Sequence, residues 1–520
     1  MAASRFLYAF NDEWPELAWV AEIRTGSSII AVELGCRVEA RPEWFCEATW
    51  DAEFEAGNFD LTDIVAGSGC RLRDGSITFV ATGSILDRLN YLQFDNRIVI
   101  SNSLSALVAH TGAVIDVTYP FYQRDLSTIC NGLENIHDRI CTDRGDIRLV
   151  YFDNLAIEDG QARCIPKPSP VRDFSDYAAY RSFMQDTMNA VITNAKSDAR
   201  KYPFEPIVPL SNGYDSPAIA LLAKAAGATD AFTIGIDRDG ADDSGLPIGE
   251  FLGYDVKVIE RDDWHQKGAP EIDCIAGSGA AGEVSLDGIR EELSGRLMLT
   301  GFFGGKAWDT WEGHVLPEET FPGHDGSGLC LTELRLTRGY IHCAVPFWGG
   351  LQLADLMEIS RSGSMKPWAV SGTYDRPIAR RIVEEAGIPR ETFATKKKGA
   401  SDHLLSIRNF LPDKSMIEYR AWTIQHASKW LRKGRIPPLP VLGRLFDGML
   451  TYLVLPVICR LLIPSVRRIA NATSSEAIKG FLDRLRKTAR YLEHTPLFAR
   501  RYTFPWALER SARKYLRESA

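Results

Sequence analysis

The segment Leu210-Ser211-Asn212-Gly213-Tyr214-Asp215-Ser216-Pro217 gathers residue types that handle phosphate. It joins a short apolar run, Ile207-Val208-Pro209-Leu210, to an Ala/Leu-rich stretch from Ala218 to Ala226. That pattern predicts a buried strand, a tight turn and a helix. Gly213 is expected to supply the unusual backbone angles of such a turn. Pro217 suits the first helical turn, where a missing N–H costs nothing. A helix start presents free N–H groups and partial positive charge, which favour an anion. Ser211 and Ser216 add hydroxyls, and Asp215 can ligate a magnesium ion that bridges phosphates. The chemistry implied is a pyrophosphate held by backbone, hydroxyls and metal. The bland alternative is an ordinary turn in which Ser and Asp cap the helix.

The elements that must position this turn follow from hydrophobic spacing. Residues 1–165 read as strand-rich, with runs such as Ser28 to Val32, Ile77 to Val80 and Arg97 to Ile100 bounded by turn residues. Residues 166–175 carry three prolines and read as a linker. An amphipathic helix is expected from Asp176 to Ala195. Beyond it, Ile207–Leu210, Ala231–Ile236 and Val256–Ile259 are strand candidates alternating with helical stretches. Such alternation implies a parallel sheet with crossover helices, hence an α/β fold. Residues past about 405 read as helical. The expected domains are therefore 1–165, 176–405 and 406–520.

In this setting Ser211-Asn212-Gly213-Tyr214-Asp215-Ser216 resembles the SGGxDS pyrophosphate loop of the N-type ATP pyrophosphatases, and the flanking motifs resemble those of asparagine synthetases. Phe232-Thr233-Ile234-Gly235 with Asp242-Asp243-Ser244 is similar to "FTIGF…DES". Leu299-Thr300-Gly301 is similar to "LSG", Val345-Pro346-Phe347 to "VPFLD", Arg376-Pro377-Ile378-Ala379-Arg380 to "KxxLR" and Lys397-Lys398-Gly399 to "KxG". Ile100 to Leu107 resembles the "ASELKAL" stretch of the family's glutaminase domain. The resemblance implies an Ntn-hydrolase-like β-rich sandwich over 1–165. It also implies an adenine-nucleotide α-hydrolase-like synthetase domain with a helical C-terminal extension. The implied activity is ATP-dependent amide formation through an acyl-adenylate, with ATP and Mg2+ as cofactors and a small-molecule or peptide carboxylate and an amine as substrates. Carried over by position, Leu210, Ser211, Gly213, Asp215 and Ser216 hold pyrophosphate. Thr233 and Ile234 line the adenine pocket, and Gly301 and Lys306 belong to a second nucleotide loop. Asp215 and Asp309 are the metal candidates and Lys397 the catalytic lysine, whose fixed charge stabilises the transition state. Taken alone, Lys396 to Lys398 would be read as a solvated charge run.

Four departures from the family pattern bear on function. The first cysteine is Cys36, behind Met1-Ala2-Ala3, so no glutaminase nucleophile is expected. The β-lactam-forming and some peptide-cyclising relatives likewise lack that cysteine and use an internal amine. Asn212 stands where the family has glycine, and Asn tolerates left-handed angles better than most residues. The second loop, Gly301-Phe302-Phe303-Gly304-Gly305-Lys306-Ala307-Trp308-Asp309, puts Lys306 or Gly305 at the second acid. Phe302 replaces the residue that handles the amine, and an apolar ring is no general base. The readings in play are a ligase without its own glutaminase, a catalytically silent nucleotide-binding or scaffolding relative, and a conventional glutamine-dependent synthetase, which the missing cysteine disfavours.

Composition bounds the remainder. With 520 residues, 45% of them hydrophobic and 25% charged, the chain is expected to fold as a multidomain globule and not as a disordered or coiled-coil protein. Ten cysteines without a CxxC pair suit buried thiols in a reducing cytoplasm. Neither a secretory signal nor a transit peptide is read at the start. The net charge of −8 hides an asymmetry: residues 396–520 hold 25 Lys/Arg against 9 Asp/Glu, a surplus of 16, over an acidic remainder. A basic tail suits an anionic partner or a solvated face folded on the acidic body. No nucleic-acid-binding module is recognised. The apolar tract from Gly448 to Cys459 is too short to span a bilayer. It reads as a buried helix pair, or as a site of peripheral contact with an anionic membrane surface.

Overall fold

The computed structural model describes residues 4–236, 242–310, 326–370, 374–390, 393–394, 411–435, 437–438, 454, 457–473, 477–482, 484–485 and 499–516. Among these residues the N-terminal part contains thirteen strands. They are β1 (Arg5–Asn11), β2 (Trp19–Arg24), β3 (Ile29–Gly35), β4 (Glu39–Arg41), β5 (Trp44–Trp50), β6 (Val65–Arg73), β7 (Ser76–Val80), β8 (Arg88–Phe94), β9 (Arg97–Ser101), β10 (Arg139–Thr142), β11 (Gly145–Tyr151), β12 (Asn154–Glu158) and β13 (Gln161–Ile165). One sheet runs β1-β3-β2-β9-β8-β11-β10 and a second β13-β12-β7-β6-β5-β4. Every pairing is antiparallel except β1 with β3. Trp19, Ile30 and Leu89 of the first sheet share a core with Phe45, Cys70 and Phe79 of the second. The inward alternation of apolar residues thus makes a β-sandwich.

The linker is followed by the helix Tyr177–Ala195, capped by Asp176, whose carboxylate accepts the N–H of Ala179. A third sheet then forms from β14 (Glu205–Leu210), β15 (Asp230–Ile234), β16 (Asp255–Ile259), β17 (Arg296–Thr300) and β18 (Ile341–Ala344), in the order β16-β15-β14-β17-β18. All its pairings are parallel, so the α/β expectation holds for this part of the chain. Gly227 follows the Asp215–Ala225 helix at φ +90°, a left-handed helix stop.

Later helices include Leu331–Arg338, Pro377–Glu385, Asp413–Gln425, Ala427–Arg432, Ile463–Thr473 and Thr503–Ala512. One continuous core joins sandwich residues such as Leu92 and Leu149 to the third sheet's Val208 and Leu299 and to Phe504 near the C-terminus. Much of the apolar tract, 448–453 with 455–456, lies outside the described residues. At its end Val457 is exposed, as are Leu461 and Leu462 just beyond it in the helical segment Val457–Leu462, which departs from the expected buried helix pair at these positions. No helix among the described residues is long and apolar enough to cross a membrane.

Candidate functional site

The strand order places β14 beside β17, with the connection from β14 running to β15 on one side and that from β17 to β18 on the other. In open parallel sheets, a crevice opens at such a reversal, beyond the carboxyl ends of the strands. The turn after β14 and the loop after β17 leave the carboxyl ends of the two strands at this reversal. They are the two segments expected to hold nucleotide.

The first turn is tied by its serines. Ser216 Oγ accepts the Ser211 N–H at 3.0 Å, the two hydroxyl oxygens lie 2.8 Å apart, and the Gly213 N–H donates to Ser211 Oγ at 3.3 Å. With one proton used between the hydroxyls, the other remains to donate to a ligand oxygen. Tyr214, at the N-cap, makes no side-chain capping bond, so the helix does not begin in the capped arrangement of the bland alternative. The unusual angles expected of Gly213 are not used, because its φ is not in the left-handed region. Tyr214 is already helical (φ −87°, ψ −50°), so the chain enters the helix directly. What glycine provides at 213 is proximity: a Cβ there would lie 3.3 Å from Ser211 Oγ. Asn212 is accommodated sideways, its N–H donating to Asp243 O at 3.4 Å and its carbonyl accepting the Ala394 N–H at 2.6 Å. It too stays outside the left-handed region.

Asp215 opens the helix, and its carboxylate is ion-paired with Arg376. The second loop closes over this pair. A Cβ on Gly301 would lie 2.6 Å from Asp215 Cβ, one on Gly304 2.6 Å from Asp215 Cγ, and one on Gly305 2.6 Å from Arg376 Nη2. Three glycines therefore allow an approach that no other residue permits. Arg376 is 6% exposed, and its guanidinium lies 5.1 Å from the Tyr374 ring centroid. Burial opposes its charge, but the Asp215 carboxylate outweighs burial, and Asp309 adds a smaller contribution, so its pKa is raised. One helical turn on, Arg380 donates to Tyr214 Oη at 2.6 Å and to Glu384 at 3.0 Å. The Nε–H groups of Arg376 and Arg380 are both buried without a hydrogen-bond partner.

The other expected residues divide clearly. Leu210 is a core side chain at the end of β14, opposite Thr233 in the ladder. Thr233 Oγ1 accepts the Gly245 N–H at 2.8 Å, so its side chain shapes the neighbouring turn. Ile234 is buried at the same strand end. Lys306 lies half-buried on the short helix Gly304–Ala307, and Asp309 is half-buried just beyond it. Lys397 lies outside the described residues. Phe302 packs edge-on to His342 at 5.6 Å, and Phe303, held at φ +75°, stacks on Phe347 at 4.2 Å. Among the described residues no three His, Cys, Asp or Glu side chains gather as a metal cluster. Asp215, which the sequence offered as a magnesium ligand, is ion-paired with a guanidinium. Arg376 and Arg380 were not among the expected site residues, although two basic residues four apart around Pro377 at a helix start were a visible signal. No family model matches the chain, and no curated protein matches it significantly.

Proposed function

We propose that the chain is an ATP-dependent carbon–nitrogen ligase of the asparagine synthetase type without its own glutaminase activity. A substrate carboxylate oxygen attacks the α-phosphorus of ATP, the α–β phosphoanhydride bond breaks, and pyrophosphate leaves. An amine nitrogen then attacks the acyl carbon, loses a proton, and AMP departs. One observation carries this reading: two glycine-bearing loops meet over Asp215 at the reversal in strand order, beside an uncapped helix start. Phosphate is the ligand class that such a combination serves. The finer fold we propose is an Ntn-hydrolase-like sandwich joined to an adenine-nucleotide α-hydrolase-like domain.

The sandwich serves as scaffold in this proposal. Trp19 Nε1 donates to Ser68 Oγ at 3.1 Å, Ser68 donates to Glu47 at 2.6 Å, and Asn102 donates to Glu47 at 3.1 Å, all buried. A filled polar interior suits support better than a hydrolytic pocket, so the amine comes with the substrate. The test is exchange of labelled pyrophosphate into ATP in the presence of a panel of carboxylic acids, including amino-bearing ones. Carboxylate-dependent exchange is expected. Tight ATP binding with no exchange across the panel would favour the silent nucleotide-binding relative, a reading that Phe302 supports by offering no base. Failure to bind ATP would end both.

We further propose that the protein works in the cytoplasm with its basic C-terminal region against an anionic membrane surface. Exposed Val457, Leu461, Leu462 and Ile469 share the Val457–Thr473 segment with exposed Arg467 and Arg468, the composition of an interfacial helix.

A further inference from the structure

We propose that this site takes its pyrophosphoryl ligand against a guanidinium, that of Arg376, and not through a divalent cation on Asp215. The inference rests on the nucleotide reading above and deepens it. Three observations lead to it. The Asp215 carboxylate is already ion-paired with Arg376, and glycines at 301, 304 and 305 let the second loop close on that pair. A divalent ion at Asp215 would be set beside a fixed positive charge that cannot be discharged, since arginine keeps its proton in proteins. Arg376 also retains a buried Nε–H with no partner, in a side chain 6% exposed. A buried donor of that kind is costly unless a ligand satisfies it. Its planar fork can hold Asp215 on one edge and a phosphate oxygen on the other, where a point-like cation gives no such division. Lys306, on the loop that covers the pair, adds a second cationic side chain on the side where the family pattern has an acid.

The reading makes opposite predictions for the two members of the ion pair. Isothermal titration of the full chain with inorganic pyrophosphate and with ATP is carried out in EDTA and again in excess Mg2+. Wild type is expected to bind pyrophosphate in EDTA, with less than about threefold change on adding Mg2+. Arg376→Gln is expected to weaken binding about 10–100-fold in both buffers, the loss of a charge-assisted hydrogen bond, and Arg376→Lys to recover part of it. Asp215→Asn removes a competitor for the guanidinium, so pyrophosphate binding in EDTA should be unchanged or tighter. If wild type binds only with Mg2+ and Asp215→Asn abolishes that binding, the cation-bridged site is right and the guanidinium inference is overturned, while the nucleotide reading stands. If neither ligand binds in either buffer, the nucleotide reading itself fails. Should Arg376→Gln not fold, the wild-type and Asp215→Asn titrations still decide.

Discussion

Single residues show both what composition reveals and what it hides. The strand-to-helix turn that carries Ser211, Ser216 and Asp215 was legible because apolar spacing and turn residues mark such a junction. Their partner Arg376 was read only as part of the Arg376–Arg380 motif, because an ion pair between residues 161 positions apart leaves no pattern that links the two. Lys167 teaches the same lesson. It lies in the proline-rich linker, where lysine is ordinarily solvated, yet it is buried and donates to Ala81 O at 2.8 Å and Asn154 Oδ1 at 2.6 Å. Desolvation lowers its pKa to about 7, with Asp63 and Asp153 only partly opposing the shift. The folded value lies below the unfolded one of about 10.4. Between those values the unfolded chain binds the extra proton, so this lysine makes stability rise with pH across that window. Below about pH 7 both states are protonated and the cost is complete. The stability difference between wild type and Lys167→Met, from urea unfolding, is therefore expected to change by about 1.4 kcal/mol per pH unit between pH 7 and 10. It should level off below pH 6. The carbonyl and amide left without a donor shift the mutant by a constant and do not alter this slope. Parallel curves for the two proteins across that range would show that Lys167 titrates as an ordinary lysine.

Elements were legible where periodicity was strong and opaque where function came from packing between them. Strands β14, β15 and β16 and the helix Tyr177–Ala195 stand close to their expected places. β18 has only four residues and was not anticipated, since so short a run carries no period; only the Val345-Pro346-Phe347 motif just after it was noted. The helix Leu331–Arg338 carries Glu333, Arg335 and Arg338, yet it packs against the sandwich. Arg335 is buried, donating to Glu47 at 2.7 Å and also holding Asp87, while Glu333 accepts from Ser103 at 2.7 Å. Burial raises the pKa of Glu47, against the opposing pull of Arg335. Burial acts in the same sense on Asp87, but Arg335 and the Thr332 hydroxyl overcome it and hold that carboxyl low. Such a network contributes little net stability when intact, but it is costly to break on one side. Arg335→Met strands two buried carboxylates and is expected to cost about 3–5 kcal/mol in urea unfolding. Adding Glu47→Gln and Asp87→Asn should return a large part of that loss. A single-mutant cost below about 1 kcal/mol would mean that the interface admits enough water to screen these charges.

At the scale of the whole molecule, the charge asymmetry needs a structural account, and folding back explains part of it. Lys514 donates to Asp273 at 2.6 Å, Lys433 to Asp116 at 2.6 Å, and the Thr503–Ala512 helix packs against the helices Pro270–Ser278 and Leu104–Thr111. These contacts neutralise some of the basic surplus on the acidic body, as the solvated-face reading expects. They do not involve Arg467 and Arg468, which are exposed, as are Leu461 (63% exposed) and Ile469 of the same segment. A basic and apolar surface of this kind gains twice from an anionic bilayer. Each basic side chain near the surface is worth about 1 kcal/mol, and each exposed aliphatic side chain gives up its contact with water. Both contributions have distinct signatures. Co-sedimentation with vesicles containing phosphatidylserine is expected, and it should weaken between 50 and 300 mM salt as screening removes the charge term. Vesicles of phosphatidylcholine alone should leave the protein in the supernatant. Arg467→Glu with Arg468→Glu should abolish the pelleting, and Leu461→Ser should weaken it at every salt concentration, because the apolar term is not screened. Equal pelleting with neutral and anionic vesicles, or none with either, would return this segment to the role of a solvated helix and leave the tail's charge to the acidic body alone.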